Sequence, residues 1–243
     1  MDWVAHADTA AVAALLCGLG GLLVPRLIAV LPEPDPDDEL EQGEPDKELY
    51  ADLARRPGLP WRLGLVAAVA GALIGFAYGW EWVLTYLLPP VPLLVALGFI
   101  DLRTRYLPTR LIQPTYALVA VGIVVTWAAT GDLHSVVRAA VAAALGFVVY
   151  FVLFFISPRG MAFGDVRLSG AVGLALGHLG WGAFLVGMYS GFLLFGIPGL
   201  LVALVRWDRA LLKARYPYGP AMIVGVLVGV LWGNQWWAAF LQR

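Results

Sequence analysis

Apolar residues dominate the chain in long runs that are separated by short polar segments. A membrane-spanning helix needs about 20 mostly apolar residues, and the pattern predicts eight such helices. Their approximate ranges are 9–31, 62–80, 82–100, 110–129, 136–156, 166–180, 182–205 and 219–240. The sixth is short and rich in glycine, and the third contains Pro89, Pro90 and Pro92, where we expect a kink. The fold class predicted is therefore an all-α, polytopic membrane protein.

The composition also indicates a membrane protein. Of 243 residues, 60% are hydrophobic and 14% are charged, whereas a soluble domain carries about 25% charged residues. There is no basic tract of the kind that binds nucleic acid. The single cysteine, Cys17, lies inside an apolar run, so the sequence offers no disulfide and no CxxC metal site. The N-terminal "MDWVAHAD" lacks Lys and Arg, which favours a retained first helix over a cleaved signal peptide.

Small residues recur four apart in three of the predicted helices. Such ridges let helix backbones approach closely in lipid, and packing is the role we expect for them. The ridges are Gly71/Gly75/Gly79, Gly173/Gly177 and Gly225/Gly229/Gly233.

One segment, residues 32–61, is polar, rich in proline and strongly acidic. Ten of the seventeen acidic residues fall between Glu33 and Asp52. We predict a solvated loop with a short helix near "DKELYADLARR". A functional alternative is that the carboxylates attract a basic substrate. The remainder of 1–243 is expected to form a single transmembrane domain.

Lysine and arginine predict the orientation. If the predicted loops are numbered alternately, 14 of the 16 Lys and Arg residues fall on one side and only Arg138 and Arg243 on the other. The positive-inside rule places the rich side in the cytoplasm. We therefore predict a multi-pass protein of the cell membrane. Both termini would lie outside the cell, and the acidic loop would lie in the cytoplasm.

Two carboxylates stand at the predicted cytoplasmic boundary. Asp101 ends the third helix in "GFIDLRTRYLP", and Asp165 begins the sixth in "SPRGMAFGDVRLSG". Ionisable groups near the apolar core are costly and usually functional. The alternative hypothesis is that each pairs with a neighbouring arginine, Arg103 or Arg167. Asp165 is also expected to cap the sixth helix, since carboxylates favour helix N-termini.

If the third and sixth helices pack together, the two carboxyl groups can share a water molecule. Like charges in a low dielectric raise one pKa, which leaves one acid and one base, as in aspartic proteases. Such a site needs no metal. The histidines, His6, His134 and His178, are predicted in exposed turns on the outer side. No serine lies in GxSG and both lysines lie in loops, so a serine nucleophile is disfavoured.

Four blocks, in order, resemble one family. "FIDLRTRYLP" and "GMAFGDVRL" resemble the two aspartate signatures of the prepilin peptidases, the type IV leader peptidases of the GxGD aspartic protease class. "RYPYGPAMIVGVLVG" resembles their third block, and "GLLVPRLIAVLP" resembles the end of their first helix. The departures are Ala162 at the first glycine of GxGD, Arg167 where lysine is usual, and Thr109 where Asn or Asp is common.

The resemblance implies an intramembrane aspartic endopeptidase that removes the basic leader of type IV pilin-like or pseudopilin precursors at the cytoplasmic membrane face. Cleavage would follow a Gly that precedes a hydrophobic residue. Asp101 and Asp165 would be catalytic, and Gly164, lacking a Cβ, would let the substrate backbone come close. Its partners would be these precursors and membrane lipid, and not nucleic acid. The supporting residues expected are Arg103, Arg167 and Pro108, the last fixing the turn into the fourth helix.

Many members carry a four-cysteine, metal-binding domain after the first helix, associated with N-methylation of the product. The loop at 32–61 has neither Cys nor His, which argues against a metal site and against methylation. Proteolysis would need no cofactor, and S-adenosylmethionine would be needed only if methylation were retained. Two alternatives stay open. One is a preflagellin- or signal-peptide-peptidase-like GxGD protease, the latter disfavoured by "FID" and by eight rather than nine helices. The other is a non-enzymatic transporter or assembly scaffold whose aspartates bind protons or cations.

Overall fold

A computed structural model describes residues 6–33, 48–156, 161–205 and 217–242. Every regular element in these ranges is helical. A π-helical turn, Gly229–Gly233, joins the last two helices. In chain order the α-helices are α1 (Ala7–Ala29), α2 (Tyr50–Ala54), α3 (Leu59–Tyr78), α4 (Leu84–Leu87), α5 (Val91–Thr104), α6 (Thr109–Thr130), α7 (Leu133–Ile156), α8 (Phe163–Leu179), α9 (Trp181–Val205), α10 (Gly219–Val228) and α11 (Asn234–Leu241).

Length and composition identify the stretches that could cross a membrane. Within the described ranges there are six: Ala7–Ala29, Leu59–Tyr78, Leu84–Thr104, Thr109–Thr130, Leu133–Ile156 and Gly219–Leu241. The predicted sixth helix corresponds to α8, of 17 residues. The predicted seventh corresponds to α9, of 25 residues. The all-α polytopic class is confirmed, while the count of eight and the sides of the termini stay predictions.

The third predicted helix is interrupted at its prolines. It comprises α4 and α5, separated by Leu88–Pro90. Proline lacks the N–H that continues a helix and is well placed in a first turn, and Pro92 lies in the first turn of α5. The expected kink is therefore present as a break between two helices.

The glycine ridges pack helix against helix. A Cβ added to Gly71 on α3 would lie 2.6 Å from the carbonyl oxygen of Ala13 on α1. One added to Gly173 on α8 would lie equally close, 2.6 Å, to the Ala142 carbonyl oxygen on α7. A Cβ added to Gly229 would lie 2.5 Å from the Ala183 carbonyl oxygen on α9. Only hydrogen fits at these positions, so the packing role predicted from the spacing is confirmed.

The end of the acidic segment is docked on the helices. Tyr50 and Leu53 of α2 are buried. The Glu33 carboxylate accepts hydrogen bonds from the N–H groups of Tyr50, at 2.8 Å, and Ala51, at 3.0 Å, which satisfies the N-terminus of α2. The short helix predicted near "DKELYADLARR" is confirmed. The charged run at 34–47, including Asp35, Asp37, Asp38, Glu39 and Glu41, lies outside the described residues.

Candidate active site

Asp101 lies in the last turn of α5 and is only 3% exposed. Its Oδ2 accepts a hydrogen bond of 2.8 Å from the N–H of Gly219, the first residue of α10 and 118 positions further along the chain. A Cβ at position 219 would lie 2.8 Å from the same Oδ2. A buried carboxylate is costly unless it is hydrogen-bonded, so this carboxylate depends on the glycine that begins α10.

Asp165 is the third residue of α8 and is also 3% exposed. Its Oδ2 accepts a hydrogen bond of 3.1 Å from the N–H of Ala162. The Asp165 N–H in turn donates to the Ala162 carbonyl at 3.0 Å. An acidic side chain that reaches back to the residue before the helix is half of a capping box. The expected capping of this helix by Asp165 is therefore confirmed.

The ends of the helices that carry the two aspartates pack together. A Cβ at Gly164 would lie 2.7 Å from the Cβ of Leu107, in the segment that follows α5. The Arg167 guanidinium donates to Thr109 Oγ1 at the start of α6. Helix α10 contacts both α5 and α8. Asp101 and Asp165 consequently lie at the same end of the bundle. Gly164 turns its open side toward Leu107, a packing contact that the sequence did not indicate.

A pair of tyrosines borders this end of the bundle. The hydroxyl oxygens of Tyr150 on α7 and Tyr218 are 2.6 Å apart, and both side chains are buried. Tyr218 directly precedes Gly219 and packs against the rings of Phe192 and Phe195, with centroids 5.5 and 5.1 Å away.

Sequence reasoning noted the block "RYPYGP" but assigned no site residue within it. The available signal was Gly219, which stands between Tyr218 and Pro220 at the start of a predicted helix. The first N–H groups of a helix have no partner within it. The tyrosine partner at position 150 has no local signal.

The two predicted supporting arginines are engaged elsewhere. Arg103 is exposed and forms an ion pair with Glu48, which also pairs with Arg56 at 2.7 Å. The hydrogen bond from Arg103 lowers the pKa of Glu48. The Arg167 guanidinium lies 4.6 Å above the Phe163 ring. These contacts do not support the alternative in which Arg103 and Arg167 neutralise the neighbouring aspartates.

The turn between α5 and α6 is built by two residues. Arg105 takes a left-handed conformation, φ 55°, that ends α5. Pro108 precedes α6, and its carbonyl accepts hydrogen bonds from the N–H groups of Leu111 and Ile112 at 2.9 and 3.3 Å. This arrangement agrees with the structural role expected of Pro108.

The prediction that all three histidines lie in exposed turns is wrong for His178. It lies in the last turn of α8, is 7% exposed, and its Nδ1 is 3.0 Å from the Tyr86 hydroxyl. Arg138 of α7 donates to the carbonyls of Gly177 and His178 at 2.7 and 2.6 Å. Burial follows because α8 is enclosed by its neighbours. This cluster lies at the end of α8 opposite Asp165.

An apolar cavity of about 410 Å³ lies between α3, α5, α6, α8 and α10. Leu65 and Val66 of α3 line it and are largely exposed on the outer surface of the bundle. Ile223 of α10 also lines it and packs against Gly98, one turn before Asp101. In the described part of the chain, no group of three or more His, Cys, Asp or Glu side chains could hold a metal ion.

Fold and site together describe a polytopic helical membrane protein with two buried carboxylates at adjoining helix ends. The model of the type IV leader peptidase family matches residues 90–233, more than half of the chain, and the chain belongs to that family. This span includes both aspartates and Gly219.

Two curated relatives each match about three quarters of the chain. The "Prepilin leader peptidase/N-methyltransferase" of Stutzerimonas stutzeri is 26% identical over 74% of this chain and 62% of its own length. The protein of the same name from Aeromonas hydrophila is 29% identical over 76% of this chain and 61% of its own length. The chain thus spans about three fifths of these relatives. No solved structure matches it significantly.

Proposed function

We propose that this protein is an aspartic endopeptidase that removes the basic leader of type IV prepilin-like precursors at the cytoplasmic membrane face. Family membership and the names of the two relatives support the reaction class. The observation that carries the proposal is the pair of buried carboxylates, Asp101 and Asp165, on helix ends that pack together. Each accepts a backbone N–H hydrogen bond.

The proposed chemistry requires the two buried carboxyl groups to lie close to each other. Two neighbouring negative charges in a low dielectric are unfavourable, so the pair retains a proton and titrates as a unit. The deprotonated carboxylate takes a proton from water as that water attacks the scissile carbonyl carbon. The protonated carboxyl group gives its proton to the leaving amide nitrogen as the C–N bond breaks. Asp101 and Asp165 fill these two roles, and the proton inventory is restored at the end of each turnover.

The apolar cavity suits the other half of such a substrate. By the resemblance, the residue that directly follows the cleaved bond of such precursors is hydrophobic. The cavity runs beside α10, where its lining residue Ile223 packs against Gly98 one turn before Asp101, and it is also lined by exposed residues of α3. Apolar side chains of a segment lying there would remain in an apolar environment while the basic leader stays in water.

The relatives' names also mention N-methyltransferase, a reaction that uses S-adenosylmethionine. The described cavity does not fit that cofactor. Its lining is aliphatic apart from Tyr86 and Thr115, whereas the charged amino-acid and sulfonium groups would need polar partners on burial. The proposed reaction therefore assigns no step to that cofactor, and proteolysis is the activity proposed for this chain.

Asparagine substitution at each aspartate tests the proposal, because asparagine keeps the shape but cannot cycle a proton. Asp101→Asn and Asp165→Asn should each lower precursor cleavage in detergent or proteoliposomes by about a thousandfold or more. Asp132→Asn is the matched control, since Asp132 is exposed and caps α7 through Ser135. Size-exclusion profiles of all three should match the wild-type protein.

Cleavage near the wild-type rate by either variant would refute the proposal. If proton or cation flux through proteoliposomes were lost instead, the transporter alternative would be favoured. A solved structure supplies a second check. One water molecule bridging the two acids requires carboxyl groups about 4–7 Å apart by ordinary hydrogen-bond lengths.

A further inference from the structure

The hydrogen bond between Gly219 and Asp101 raises the question of what holds Gly219. Tyr218, which directly precedes α10, and Gly219, the first residue of α10, are here termed the 218–219 turn. The Gly219 N–H is one of the first donors of α10, which have no partner within a helix. It donates to Asp101 Oδ2 at 2.8 Å. The position of this N–H fixes the position of one carboxylate oxygen.

Tyr218 anchors the turn from its other side. Its hydroxyl oxygen lies 2.6 Å from that of Tyr150, a fully buried residue of α7. The rings of Phe192 and Phe195 enclose Tyr218 on the α9 side. A Cβ at Gly191 would lie 3.2 Å from the Tyr218 hydroxyl oxygen, so α9 also passes close to the tyrosine pair.

We propose that Tyr150 is a positioning residue for Asp101, acting through the Tyr218 hydroxyl and the Gly219 N–H. This inference rests on the proposed function, because it assumes that Asp101 takes part in peptide cleavage. The connection runs from α7 through the 218–219 turn to the end of α5. It joins helices that are far apart in sequence. Through the Gly219 N–H it holds one oxygen of the reacting carboxylate, Asp101 Oδ2, in place.

The consequence for catalysis is geometric and electrostatic. Displacing a reacting group by about 1 Å can cost about a hundredfold in rate. An N–H donor also favours the charged form of a carboxylate. The other charged groups on these two helix ends are Arg103 and Arg105 at the end of α5 and Asp165 and Arg167 in the first turns of α8. Loosening the turn should therefore reduce turnover and disfavour the ionised form of Asp101.

Tyr150→Phe is the direct test, since it removes one oxygen and keeps the ring. We expect kcat for a prepilin peptide to fall roughly tenfold with KM unchanged, because the substrate contacts are intact and only positioning is lost. The acid limb of the kcat profile should move to higher pH. Tyr78→Phe is the matched control, because the Tyr78 hydroxyl donates to the Val230 carbonyl at 2.7 Å, about three helical turns beyond Gly219 in the same helical segment. It should leave kcat and the acid limb unchanged.

A double-mutant cycle sharpens the test. Tyr150→Phe and Tyr218→Phe remove the same hydrogen bond, so the double variant should be no slower than the slower single variant. Gly219→Ala should be more severe than either, because the added methyl group meets Asp101 Oδ2. Gly196→Ala, where a Cβ meets nothing within 4 Å, is its control.

The two levels of inference fail differently. Wild-type cleavage by Asp101→Asn would remove the proposed function and this inference with it. Loss of cleavage by Asp101→Asn combined with wild-type kcat and acid limb in Tyr150→Phe would overturn only the positioning role. Multiplicative effects of the two tyrosine substitutions, or an equal change in Tyr78→Phe, would overturn it as well.

Discussion

The two buried aspartates are held in opposite ways. Asp165 lies at the beginning of a helix and accepts an N–H from Ala162, three residues earlier. Asp101 lies at the end of a helix and accepts an N–H from Gly219, 118 residues later. The first carboxylate is fixed by its own helix, whereas the second is fixed by the packing of α10 against α5.

Within one site, the position of Asp165 is thus determined by local structure, and the position of Asp101 by the packing of distant helices. A helix N-terminus supplies unpaired N–H groups and attracts a carboxylate wherever the helix lies. A helix C-terminus supplies carbonyls, which repel a carboxylate, so Asp101 needs a donor from another helix. We therefore expect Asp165 to tolerate local change and Asp101 to be sensitive to the geometry of the whole bundle.

Lengthening each side chain by one methylene group tests this comparison with the largest expected effect. Glutamate at position 165 stands at the third residue of a helix, where it can still reach back to the N-cap N–H. Glutamate at position 101 has to fit against Gly219. The space there is small, because a Cβ added to Gly219 would lie only 2.8 Å from Asp101 Oδ2. We expect cleavage to fall about a hundredfold in Asp101→Glu and markedly less in Asp165→Glu. Equal losses in purified, folded variants would remove the distinction.

Gly164→Ala tests how the two helix ends are joined. The new Cβ would lie 2.7 Å from the Cβ of Leu107, so the ends must separate at a cost of about 1–3 kcal/mol. We expect a lower melting temperature together with reduced kcat. Gly196→Ala serves as the control. A rise in KM at an unchanged melting temperature would instead favour the prediction that Gly164 admits the substrate backbone.

The smallest effect is expected at Glu48, which pairs with Arg103 two residues from Asp101. Both side chains are more than a third exposed, so solvent screening limits the pair to about 0.5 kcal/mol. The pKa of Glu48 is lowered by the hydrogen bond from Arg103. Its contribution is therefore present above the unfolded-state pKa and is lost as pH falls through the lowered, folded-state value.

Melting temperatures measured against pH will check this expectation. Wild type and Glu48→Gln should differ slightly near neutrality and converge on acidification, with cleavage unchanged in both. A large loss of cleavage in Glu48→Gln would mean that the Arg103 side of α5 also controls Asp101.

The sequence predicted those features whose cause is local. The apolar runs, the break at Pro89 and Pro90, the cap by Asp165 and the short helix before Arg55 all depend on residues within a few positions of one another. The glycine ridges were also recognisable, since a spacing of four places small residues on one helix face.

What the sequence could not supply was the identity of packing partners. Helices in lipid are apolar on every side, so periodicity does not tell which face is buried against which neighbour. The partners of Asp101 and Tyr150 lie 118 and 68 residues away. His178 was misplaced for the same reason: its position near a predicted turn gave no sign that Tyr86, 92 residues earlier, covers it.

The contact between Gly219 and Asp101 also has a consequence in time. The two residues leave the ribosome 118 residues apart, an interval of about 6–24 s at ordinary rates of synthesis of 5–20 residues per second. During that interval α5 has been made but its carboxylate lacks its N–H donor. Asp101 therefore reaches its final environment only when the last long helix has entered the membrane, so a nascent or truncated chain ending before residue 219 would lack this arrangement.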